Sequence, residues 1–145
     1  MGKFVYRFES IMNVKEILEK KIQEEISLIN KEINELKNQL AAIIDERKKV
    51  QQKMSELSLK AAEFQSVKMY DSLLEKKILS VERKINQLLK KKEEKQKELI
   101  ERKKEHKVFE TLKENQREEF LLDEKRNELK ELNEIAIRNY GGNQK

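Results

Sequence analysis

No glycine lies between residues 3 and 140, and proline is absent from all 145 residues. The three glycines are Gly2, Gly141 and Gly142. Sharp turns draw on glycine and proline, so folds built from many short strands and tight turns are excluded. What remains is long helix or a chain too polar to fold. Charged residues make up 42% and apolar types 37%, a balance that also fits disorder. The order in which the apolar residues occur decides between the two.

From Ile22 the apolar residues step alternately by four and three: Ile22, Ile26, Ile29, Ile33, Leu36, Leu40, Ile43, then Val50, Met54, Leu57, Ala61 and Phe64. Arg47 alone interrupts them. This is a heptad seam, the signature of a coiled coil. Upstream, Ile11, Val14, Leu18, Ile22 and Ile26 contain three successive steps of four, which predicts a stutter. A second seam runs Leu74, Ile78, Val81, Ile85, Leu88, with lysines at its next positions, 92 and 95. Leu99, Arg102, His106 and Phe109 carry it on.

The two seams are out of register with each other, which predicts a turn between them. Ser66 has the side chain of a helix N-cap. The expectation is an all-α fold, a long antiparallel two-helix coiled-coil hairpin forming one domain over 1–145. Helix one covers about 9–62, the turn about 62–68 and helix two about 67–138, with a flexible C-terminal tail after Gly141-Gly142. One continuous helix is the alternative. In the hairpin, helix two outruns helix one by roughly 18 residues at 1.5 Å per residue. Leu129, Leu132, Ile135, Ala136 and Tyr140 are then left without an intramolecular partner.

The chain offers little for catalysis. It has no cysteine, one histidine and no glycine-rich phosphate loop. The expectation is a non-enzyme without cofactor, metal site or small-molecule substrate. The 33 basic and 28 acidic residues are interleaved, which reads as a solvated helix surface and not as a nucleic-acid face. The longest apolar run is Leu40–Ile44, far short of a membrane span. A cytoplasmic protein is expected. Phe4, Tyr6 and Phe8 alternate just before the first helix; a short strand and an exposed apolar arm are both open readings.

Three stretches resemble the FliJ family, the small coiled-coil component of the bacterial flagellar type III export apparatus. The first is Phe4-Val5-Tyr6-Arg7-Phe8-Glu9 followed by Val14-Lys15-Glu16. The second is Ser66-Val67-Lys68-Met69-Tyr70 followed by Leu73 and Leu74. The third is Phe109–Glu114 with Lys130-Glu131-Leu132-Asn133-Glu134-Ile135-Ala136, where Asn133 stands in place of the family's Asp. The resemblance implies a stalk-like hairpin that engages a hexameric flagellar export ATPase, promotes its assembly, contacts the membrane export gate and escorts export chaperones. It implies a peripheral location at the cytoplasmic face of the cell membrane. It also implies ATPase contact through Phe4, Tyr6, Phe8, Leu129, Leu132, Ile135, Ala136 and Tyr140, and gate contact through Gln39, Ile43, Val50 and Leu73. The rival readings are a homodimeric coiled-coil tether and a nucleic-acid-associated helical protein.

Overall fold

The computed structural model describes residues 2–56 and 60–143. It consists of two α-helices, α1 (Glu9–Ser55) and α2 (Ala61–Asn143), and no strand among the described residues. The helices pack against each other as an antiparallel hairpin. Glu9 in the first turn of α1 and Glu63 in that of α2 place negative charge where the helix dipole favours it.

The turn is not where the seams suggested. Residues 62–68 lie inside α2, and α1 stops at Ser55, seven residues short of the expected end. Ser66 is therefore a helix-interior residue and no cap. Ala61-Ala62-Glu63 are good helix formers, and nothing in 62–68 interrupts the backbone ladder. The seam position Leu57 lies outside the described residues. At the other end α2 continues past 138 through Gly141 and Gly142 to Asn143. No described glycine has a positive φ, so the expected glycine stop does not form. The rest of the expected tail lies beyond the described residues.

Contacts divide the chain into two units, Lys20–Ile100 and Met1–Glu19 with Glu101–Lys145. In the first unit Ile29, Ile33, Val81 and Ile85 form the buried core, with Leu36, Leu40, Ile43 and Leu88 around it. Leu74 is the most enclosed side chain, 1% exposed. From Ile22 to Met54 and from Leu74 to Leu99 the four-three seams appear here as the sequence spells them, whereas Ala61 and Phe64, expected to end the first seam, are exposed on α2. Arg47, the one interruption, stays on the seam and turns its charge to an acid across it. Its Nε donates to Asp71 at 3.0 Å, and a second guanidinium nitrogen lies 3.6 Å from Glu75. Lys95 on the second seam meets Glu25 of α1 at 2.8 Å. Lys92, the other seam lysine, is half-buried.

In the second unit the pairing is also antiparallel, with Lys15 2.8 Å from Glu105 and Lys113 2.9 Å from Glu9. The expected stutter is absent. Met12 is buried, while Ile11 and Val14 are 44% and 54% exposed. The inner line runs Met12, Lys15 and Glu19, spaced three and four, with Leu18 half-buried beside Glu19. The polar residues can take them because each finds a partner on α2. Glu19 sits 3.2 Å from His106 Nδ1, each side chain 13% exposed. No described helix is long and apolar enough to cross a membrane.

The two seam lysines should respond oppositely to the same change. Lys92→Leu adds apolar area without breaking an ion pair and should stabilise by on the order of 1 kcal/mol, raising Tm by a few degrees. Lys95→Leu strands Glu25 and should lower Tm. Thermal melts of both variants measure the difference. Acid adds a second test. The Lys95 hydrogen bond holds Glu25 below its ordinary value of 4.5, and Lys15 does the same for Glu105. The unfolded chain therefore binds these protons more readily, so their contribution is present above the ordinary carboxylate range and is lost as pH falls below it. Glu25→Gln should flatten the loss of Tm between pH 5 and about pH 3 relative to the unaltered chain.

Candidate functional site: the end of the second helix

Beyond Glu124 every side chain described on α2 is exposed. Leu129, Leu132, Ile135 and Tyr140 are 60%, 62%, 53% and 69% exposed, and Ala136 is exposed with them. Among the described residues no side chain packs over this stretch, and the helix continues because Lys, Arg, Glu, Leu and Ala make up most of residues 125–138 and proline is absent. Leu122, Leu129, Leu132, Ala136 and Tyr140 step by seven, three, four and four. At 3.6 residues per turn they share one side of α2, turned well away from the seam line through Phe109, Lys113 and Phe120. Residues 110–134 also carry nine acidic and five basic side chains. The result is an apolar stripe on an acidic helix, with the spacing by which one helix packs on another protein.

The N-terminal aromatics behave differently. Phe4 and Phe8 are half-buried and Tyr6 is 5% exposed. All three are folded down on α2. The Phe4 and Phe120 rings are 5.6 Å apart, and the Phe8 and Phe109 rings 6.1 Å. The Tyr6 hydroxyl donates to the Phe109 carbonyl at 2.8 Å, and the Lys113 ammonium lies 6.0 Å from the Tyr6 ring. The backbone N–H of Gly2 donates to Glu124 at 3.3 Å. Residues 2–8 thus form neither a strand nor an exposed arm. They extend the cover over α2 beyond the start of α1. Beside Gly2 an open cleft of about 650 Å³ is lined by Phe120, Leu121, Leu122 and Lys125.

Of the residues expected to share one docking site, then, the structure separates the packed set Phe4, Tyr6 and Phe8 from the exposed set at the end of α2. The second expected patch divides in the same manner. Gln39 is exposed and Leu73 is 47% exposed, whereas Ile43 packs against the core and Val50 is buried. The sequence reading missed Phe120 and Phe109 as partners for the N-terminal aromatics. The signal was present in their spacing. Eleven residues of helix span about 16 Å, close to the roughly 13 Å that residues 4–8 cover when extended.

Among the described residues no three His, Cys, Asp or Glu side chains converge as metal ligands would. No curated protein and no solved structure is detectably similar to this chain. A family model described as "Flagellar FliJ protein" matches residues 4–145. With nearly its whole length matched and a two-helix antiparallel hairpin as its fold, the chain belongs to the FliJ family.

Proposed function

We propose that this hairpin is a non-enzymatic component of the flagellar export apparatus that engages the hexameric export ATPase through the end of α2 and promotes its assembly. The observation that carries the reading is the apolar stripe of Leu129, Leu132, Ala136 and Tyr140, kept in helical spacing and exposed with Ile135 at its flank, with no side chain packed over it among the described residues. A surface of that kind is costly to leave in water unless another protein covers it. The N-terminal aromatics then support the site from behind and do not enter it. Contact with the export gate falls on Gln39 and Leu73, with Ile43 and Val50 holding their helices together beneath. Linking the ATPase to the gate and receiving export chaperones would keep the protein at the cytoplasmic face of the cell membrane.

Truncation after Asp123 tests the reading. The removed residues contribute almost no tertiary contact, so Tm should change by no more than a few degrees. Stimulation of ATP hydrolysis and hexamer assembly should be lost. A truncated chain that still stimulates the ATPase fully would refute the site, as would one that no longer folds.

A further inference from the structure

We propose that the outer face of α2 between Met69 and Lys90 is a docking surface for an anionic phospholipid bilayer. It uses none of the residues given to the ATPase contact, and it lies wholly within the unit Lys20–Ile100. Along the sequence basic and acidic residues are interleaved, but around this part of the helix they separate. Residues 65–92 hold eight basic and three acidic side chains. Two of the three acids, Asp71 and Glu75, are turned to Arg47 of α1. Met69, Ser72, Lys76, Leu79, Arg83 and Lys90 step by three, four, three, four and seven. At 3.6 residues per turn they lie on the side of α2 opposite the buried seam of Leu74, Ile78, Val81 and Ile85. All six are exposed and none is acidic.

The positive charge of this face has no answer on its own helix. A helical side chain meets its neighbours three and four residues away. Those of Lys76 are Ser72, Leu73, Leu79 and Ser80, and those of Arg83 are Leu79, Ser80, Asn86 and Gln87. Lys76, Arg83 and Lys90 recur every seven residues, about 10.5 Å apart in one line. Apolar side chains stand among them, with Met69 69% and Leu79 51% exposed. At the start of the face an open cleft of about 490 Å³ is lined by Gln65, Lys68, Met69, Ser72, Leu73 and Lys76. The cleft brings two ammonium-bearing side chains, a hydroxyl and an amide beside apolar surface, a combination that suits a phosphate headgroup and the acyl carbons next to it. A bilayer satisfies both halves of the face. Its anionic headgroups attract the basic line, and its interfacial layer takes up Met69 and Leu79. A nucleic-acid backbone would leave the two apolar residues in water, and none of the six is an aromatic on which a base could stack.

The test is co-sedimentation of the full chain with phosphatidylcholine vesicles, with and without about one third phosphatidylglycerol. The anionic vesicles should bind the chain and the neutral ones should not. Binding should weaken at least about tenfold between about 0.05 and 0.3 M salt. Lys76→Glu/Arg83→Glu/Lys90→Glu should lower it at least about tenfold. Lys31→Glu/Lys37→Glu/Lys48→Glu makes the same change of net charge at exposed positions of α1 and should leave binding within about twofold. Circular dichroism checks that both triple variants keep their helices. Leu79→Cys carrying a polarity-sensitive dye reports insertion, and the label is unique because the chain has no native cysteine. Its emission should shift to the blue on anionic vesicles. Equal losses in the two triple variants would reduce the contact to overall charge and overturn the proposal. An unshifted label would overturn it in favour of an acidic protein or another polyanion on the same face. A chain that stays in the supernatant with anionic vesicles at low salt would overturn it outright. ATPase stimulation enters none of these measurements, so the two readings fail separately.

Discussion

The pairing of charges across an apolar seam is the constraint on which the rest of the structure depends. A heptad of isoleucine and leucine buries area but accepts several registers, because each apolar residue packs nearly as well one heptad along. Charged residues on the seam do not. Arg47 needs Asp71, Lys95 needs Glu25, and Glu19 needs His106. A slip by one heptad would leave these groups against apolar neighbours, where a half-buried charge without a counterion is costly. The pairs contribute little net stability at such exposures. Their effect is on which alignment of the two helices is adopted, and so on where α1 runs out and how much of α2 lies beyond it.

The apolar period was readable without coordinates wherever it was dense. From Ile22 to Met54 and from Leu74 to Phe109 the residues named on the seams are the ones that face inward. The reading failed where apolar residues were sparse. Ile11 and Val14 suggested one phase, but Met12, Lys15 and Glu19 follow the phase that the downstream core imposes. Single-chain periodicity gives charged residues no weight on an inner face, and their partners lie about 90 residues away. The turn was misplaced for a related reason. With neither glycine nor proline near it, nothing local marks where a helix ends, and Ala61 and Ala62 read as the end of the first helix when they begin the second.

The candidate site divides along the same line. Exposure of the apolar residues after Glu124 follows from simple length, since α2 has 83 residues and α1 has 47. Burial of Tyr6 does not follow from length. It depends on a hydroxyl reaching a main-chain carbonyl 103 residues away. Sequence can name the aromatics in the arm, but their use was legible only once Phe109 and Phe120 had been set three turns apart on the facing helix.

The uneven lengths of the two helices have a further consequence for how the end of α2 holds its form. A helix of fewer than about 12–15 residues is marginal in water because its first turn fixes several residues for one hydrogen bond. Residues 125–143 never face that step. Their first turn is laid down on a helix already held by packing against α1 and residues 2–8, and they need only propagate it. The folded body acts as a template for the stretch that leaves it. The same residues would lose most of their helix if severed, and so would the ordered spacing of Leu129, Leu132 and Tyr140. A surface presented this way is already arranged before anything meets it, although none of its described side chains is buried.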